Sequence, residues 1–478
     1  MEYEAILEHS IPIEKYFEDI SCIPRESGNE KAVSDYVVRF AEDRGLRWQR
    51  DDMWNMVVWK PASPGKEGAA PVILQAHMDM VCAKTAGCTH DFLRDPIALR
   101  LEDGILRAEG TTLGADDGFG VAYMLAALDD DTLVHPPLEC VFTVQEETGT
   151  VGAEKLDKHI LSGRRMLNLD GDEEGATFVA CSCSDRVLLD AVYETAPVYD
   201  SAIALKLYDF SNGTYQGVLH PECGNTIKMI ARLLHRLQVS GISFRLSAWN
   251  CGTAENFNPL EGSVVFTADA PQEQVEALLR AEFSLMEKEI ADDRYTGKMS
   301  IEPGVRVHEA ISAVNSARLV TALWLMPNNL LHATEKETLT INNVGLVSLR
   351  DGVFHAAMSC RSKLGSCEEQ VVRHCRELAQ AFGLQAEVQT RYRPWPYVEH
   401  SPLRELVNTI AAQQYGYTLR EEVCPGGLEI GYFFDGDDFD AVMLGPNLKN
   451  LHTPEESMEM ASFHRVYDLL CRTLAQLD

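Results

Sequence analysis

PVILQAHMDMV, residues 71–81, reads as a strand that ends in polar groups able to do chemistry. Val72 to Ala76 form a short, nearly continuous apolar run, the pattern of a strand buried on both faces. Similar runs lie on either side of it: NMVVWKP (55–61), LECVFTVQE (138–146) and RRMLNLD (164–170). Between them DGFGVAYMLAALDDD (117–131) repeats apolar residues at three and four, as a helix does. Residues 13–45 read as helix, with Gly45 as the stop. Strands alternating with helices predict an α/β layer around a mainly parallel sheet, flanked by helices.

The texture changes near residue 187. One block runs strand (SAIALKLYDF), helix (GNTIKMIARLLHRL), two strands and helix (QEQVEALLRAEFSLMEKEI). A second block loosely repeats it, from NSARLVTALWLM to CEEQVVRHCRELAQAFG. The α/β texture returns at PWPYVEHSP and closes with the helix SFHRVYDLLCRTLAQL. The expected organisation is a first domain in two parts, 1–186 and 394–478. An internally duplicated α+β domain, 187–393, would be inserted between them. A chain of 478 residues is too long for one ordinary core, in keeping with two domains.

Composition narrows the function. Apolar residues make up 45% and charged residues 24%, as in soluble globular chains. No apolar run approaches the roughly 18 residues of a membrane span. The acidic start MEYEAILEHSIPIEKYFEDI lacks the basic and apolar segments of a secretory signal, so a cytoplasmic location is expected. The 13 cysteines are odd in number and scattered; Cys181 and Cys183, the one close pair, read as buried thiols. A net charge of −31 argues against nucleic-acid and anionic-membrane partners.

Most of the polar residues that end the apolar runs are potential metal ligands. His77 and Asp79 share a face of an extended chain, so the imidazole can bind a cation while the carboxylate orients it from behind. Asp116, in the Gly-rich turn LGADDGFG, can bridge two cations through its two oxygens. Glu146 and Glu147 are adjacent and point in different directions; one can bind metal while the other serves as general base. Asp170 ends MLNLD, and His452 follows VMLGP in NLHTPEE. Two imidazoles and several carboxylates suit two adjacent divalent cations, so a metal-activated hydrolase is the leading expectation.

QAHMDMV, LGADDGFG, QEETG, LNLDGDEEG, GLEIGYF and GPNLKNLHTPEE closely resemble the aminoacyl-histidine dipeptidases, also called cytosol nonspecific dipeptidases, among the co-catalytic zinc exopeptidases. The resemblance implies a zinc-peptidase-like catalytic domain with an inserted lid. It implies dipeptide hydrolysis, Xaa-His included, by a metal-bridged hydroxide. Asp116 would bridge two ions, His77 and Asp170 would complete one site, and Glu147 and His452 the other. Glu146 would be the general base and Asp79 would orient His77. Zinc suits these ligands; cobalt or manganese can substitute. A cis peptide is implied at Asp116–Asp117, and a homodimer is the implied assembly, with a monomer as the alternative for a duplicated lid.

The resemblance also implies substrate-binding positions. His220 in GVLHPECGN matches a family histidine that reaches over the substrate, although the glycines and serine around that histidine are replaced here. Asn256 and Pro259 fall in AENFNPLEG, and Arg361 in MSCRSKLG can hold a carboxylate. Glu429 can read a substrate amine; Cys424 stands where the family usually has a histidine ahead of its GLE stretch. These departures leave an N-acyl amino-acid amidohydrolase as the alternative enzyme. A non-catalytic binding relative is disfavoured because every ligand position is kept.

Overall fold

The strand Val72–His77 is buried along its whole length and pairs in parallel with Leu138–Thr143 on one side and Arg165–Asn168 on the other. Asp440–Met443 adds a fourth parallel strand beside Arg165–Asn168. Met56–Lys60 and Arg47–Arg50 extend the opposite edge antiparallel. These relations are those of a computed structural model, which describes residues 5–199, 201–210, 224–289, 297–333, 338–424, 426–434 and 438–478. The helix Ala115–Asp129 is buried over nearly its whole surface. It packs with the helices Pro12–Ser21 and Met460–Gln476 in one apolar core, where the Tyr123 and Phe463 rings stack at 5.1 Å. Each such fully buried side chain contributes about 1.5–3 kcal/mol.

The chain forms two compact units. The first comprises the residues up to Cys181, Trp395–Cys424 and Leu428–Asp478; the second comprises Ser182–Pro394 with residues 425–427. The continuous helix expected over 13–45 is instead two helices, Pro12–Ser21 and Lys31–Asp43. Pro24 lacks the amide a continuing helix needs, and Gly28 takes φ +89°, so the chain turns between them.

In the second unit the duplication is nested rather than sequential. Ala202–Tyr208, Phe244–Cys251, Gly262–Ala268 and Lys298–Val305 form one four-stranded antiparallel set with the helices Thr226–Val239 and Gln272–Glu289. Cys183–Val192, Thr338–Arg350, Val353–Ser362 and Gln385–Tyr392 form a second set of the same order, with the helices Ala313–Leu325 and Gly365–Phe382. The first strand of the second set therefore precedes the whole of the first set in the chain. The sets join edge to edge through Trp249–Cys251 against Val347–Leu349. Among the described residues, no helix is long and apolar enough to cross a membrane.

Candidate metal centre

The polar residues picked out at the ends of the apolar runs converge because their strands are neighbours. His77 is the last residue of the central strand, and Glu146 and Glu147 follow the adjacent strand Leu138–Thr143. Asp170 follows Arg165–Asn168, and His452 lies in a turn beyond Asp440–Met443. Open α/β sheets place sites at the carboxyl ends of their strands for this reason. Asp116 comes from the opening turn of Ala115–Asp129. Its backbone there is not helical (φ −81°, ψ 109°), and the Asp116–Asp117 peptide is cis.

Asp116 is the hub. Its Oδ1 lies 3.0 Å from His77 Nε2 and its Oδ2 lies 3.3 Å from His452 Nε2. His77 Nε2 is also 3.6 Å from Asp170 Oδ1, and His452 Nε2 is 3.1 Å from Glu147 Oε1. Three groups of ligand-capable atoms result: His77–Asp116–Asp170, Asp116–Glu147–His452 and His77–Glu146–Glu147, each within 4.8 Å. The first two share Asp116, as a pair of cations would require.

Asp79 is fully buried and supports the cluster from behind. Its Oδ1 lies 3.4 Å from His77 Nδ1 and accepts the Glu146 amide at 3.0 Å. Its Oδ2 accepts the Ser27 hydroxyl at 2.7 Å and the Glu147 amide at 3.3 Å. One carboxylate thus links the imidazole to the backbone of both glutamates. Asp117, also buried, accepts the His77 amide at 3.1 Å.

The electrostatics fit missing positive charge. Burial raises the Glu146 carboxyl well above its ordinary range and lifts Asp170 to about 7. Contacts with Asp116 and Glu147 hold the His452 imidazole up near 10. Burial works against protonating His77, yet Asp116, Asp170 and Asp79 together raise it. Burial also opposes ionising Asp79, and the His77, Ser27 and Glu146 contacts more than offset it. Protons fill the place of a cation in such a cluster, and metal binding would release them. Glu147 Oε1 is buried and faces His452 Nε2 at 3.1 Å, two ligand-capable atoms turned toward one place. The donor set fits divalent metal.

The substrate-binding expectations fare differently. Glu429 is 1% exposed, and its Oε2 accepts from Gln75 Nε2 at 2.5 Å and Thr143 Oγ1 at 2.6 Å. That oxygen is tied to the strand ends, while Oε1 is buried without a hydrogen bond. Burial lifts its carboxyl to about 8. Asn256 and Arg361 belong to the second unit, Asn256 in a half-buried loop and Arg361 on the strand Val353–Ser362. His220 lies outside the described residues. Sequence reasoning missed Ser27, Arg25 and Glu456; the last sits in the quoted NLHTPEE, four residues past His452.

Comparison with known proteins agrees with this geometry. The chain is 29% identical over 475 residues to the cytosol non-specific dipeptidase of Escherichia coli (strain K12), covering 98% of this chain and 97% of that one. The crystal structure of aminoacylhistidine dipeptidase from Vibrio alginolyticus superposes with a TM-score of 0.85 at 28% identity, covering 100% and 99% of the two chains. Aminopeptidase PepT from Bacillus cereus ATCC 10987 shares the fold, with a TM-score of 0.60 at 18% identity over 98% of this chain and 99% of that one. The profile of Peptidase family M20/M25/M40 matches residues 73–476, from the central strand to the last helix, and the chain belongs to that family.

Proposed function

We propose that this chain is a metal-dependent dipeptidase that cleaves unblocked dipeptides, Xaa-His dipeptides among them. The observation that carries the proposal is the sharing of Asp116 between His77 and His452, at 3.0 and 3.3 Å. The full-length similarity to two dipeptidases supports the substrate class. Asp116 would bridge two divalent cations, zinc first, with cobalt or manganese able to substitute. His77 and Asp170 would complete one site, Glu147 and His452 the other. The cations, when bound, polarise the scissile carbonyl and lower the pKa of a water.

The protein's own residues do the rest. Asp79 fixes the direction of the His77 ring and, through the amides of Glu146 and Glu147, the loop that carries both carboxylates. Glu146 takes the proton of the attacking water on its carboxylate and returns it to the leaving amine nitrogen. Asn256 and Arg361, with His220, remain candidates for holding the substrate, Arg361 through a carboxylate. The E. coli relative is named for the cytosol, and we assign this chain to the same compartment.

The test is a substrate panel containing β-Ala-His, Gly-His, Leu-Gly, a tripeptide and an N-acetyl amino acid, each with and without chelator. Chelator-sensitive cleavage of the free dipeptides alone supports the proposal. Cleavage of only the N-acetyl substrate would move the assignment to an amidohydrolase.

A further inference from the structure

We propose that Arg25 and Glu456 are positioning residues for Asp116, acting from opposite sides of the turn Leu113–Asp116. The proposal rests on the two-cation reading of the site.

A bridging carboxylate must present both oxygens outward, and Asp116 does so only because its backbone departs from the helix it opens. That departure removes the usual means of satisfying helix-opening amides: the residue at the cap is Gly114, which has no side chain to accept them. Glu456 takes that place from far along the chain. Its Oε2 accepts the amides of Leu113 and Gly114 at 2.8 and 3.0 Å, and its Oε1 those of Ala115 and Asp116 at 2.9 and 3.3 Å. One carboxylate therefore fixes four consecutive peptide planes, ending at Asp116 itself. Glu456 and His452 share a loop, so the same contact ties the second histidine to the turn.

Arg25 holds the carbonyl side. Its guanidinium donates to Gly114 O, and through Nη1 to Met78 O at 3.0 Å and Asp79 O at 2.9 Å. It thereby joins the turn that carries Asp116 to the loop that follows His77 and carries Asp79. The glycines of LGADDGFG make room for it. A Cβ at Gly114, where φ is +69°, would meet Arg25 Nη2 at 2.6 Å, and one at Gly118 would meet it at 2.8 Å. Arg25 and Glu456 are each 2% exposed. Burying such charges is costly and seldom adds net stability. Each here is spent on backbone groups of the ligand-bearing loops, which is the behaviour of groups kept for geometry.

The experiment compares zinc binding to the chelator-stripped full chain and its variants by competition calorimetry, with the absorption spectrum of the cobalt form as a second readout. In Glu456→Gln the amide keeps the shape, but its NH2 would face peptide donors. We expect affinity at both sites to fall by about 10–100-fold and the cobalt spectrum to shift. Tyr123→Phe serves as control: it removes a buried hydrogen bond to Phe463 O away from the turn. It should lower the melting temperature and leave both affinities unchanged. Arg25→Lys, which keeps the charge but loses the planar fork, should weaken binding by a smaller factor and provides the answer if Glu456→Gln does not fold. Folded variants that bind two ions within twofold of wild type would overturn the proposal. A wild-type chain that never takes up two ions would overturn the two-cation reading itself, and this proposal with it.

Discussion

Glu146→Gln separates the two roles open to a carboxylate at this position. Glu146 belongs to one group of ligand-capable atoms with His77 and Glu147, but His77–Asp116–Asp170 and Asp116–Glu147–His452 are complete without it. The amide keeps the side-chain length, and the residue's own N–H stays bonded to Asp79 Oδ1 at 3.0 Å, so the ligand loops should hold. Only the basic oxygen is lost. A positioned general base contributes about 10²–10⁴-fold, or about 2.7–5.4 kcal/mol at about 1.36 kcal/mol per tenfold. Glu146→Asp adds a geometric arm. It keeps the carboxylate but draws it back by one carbon–carbon bond, about 1.5 Å, and a misplacement of about 1 Å costs on the order of 10²-fold. The assay is kcat on a free dipeptide, paired with metal content by mass spectrometry. Both variants should carry two ions per chain, with kcat reduced by at least about 10²-fold in each. A fully loaded Gln variant within tenfold of wild type would show that the base lies elsewhere. Loss of an ion together with activity would make Glu146 a ligand.

Three further outcomes are expected. His452→Ala should reduce metal content by about one ion per chain and shrink the proton release on metal binding, since the His452 proton, held up to about pH 10, must leave before the ring can ligate; unchanged stoichiometry would remove His452 from the ligand set. Gly120→Ala should destabilise by about 1–3 kcal/mol or more in denaturant unfolding, because the new Cβ would stand 2.3 Å from Leu169 O; wild-type stability would contradict that packing. In the second unit, burial first and the neighbouring Asp185 next raise Glu368 from 4.5 to about 8. The folded state thus holds this proton more tightly than the unfolded chain, and the associated stability is complete below about pH 4.5 and lost as pH rises through about 8. Glu368→Gln should flatten the fall of melting temperature between those limits, and an unaltered slope would refute the assignment.

The sheet and its cluster were legible for a common reason. Parallel strands covered on both faces must be continuous apolar runs, and the first polar residue after each run lies where neighbouring strands end together. Val72–His77, Leu138–Thr143 and Arg165–Asn168 announce themselves this way, and their ends point to His77, Glu146, Glu147 and Asp170. The nested duplication was not legible. Cys183–Val192 completes a set whose other strands begin at Thr338, and its pairing with Val353–Ser362 spans far too much chain for local pattern to reveal. Lys298–Val305 is an edge strand with five exposed residues among eight, too polar to stand out. Arg25 and Glu456 left no trace because their partners are peptide groups, which every residue carries. The setting of Glu429 was not legible either, because an acidic residue in a family motif does not show which buried groups its oxygens meet, here Gln75 and Thr143.

In the proposed function, two cations sharing Asp116 carry dipeptide hydrolysis. The most direct test is a titration of the chelator-stripped protein with zinc or cobalt, following dipeptide hydrolysis against equivalents added. Activity that is absent in the stripped protein and reaches its plateau near two equivalents per chain is the predicted result. Full dipeptide hydrolysis with no metal present would contradict the claim, as would a plateau at one equivalent with no second ion bound.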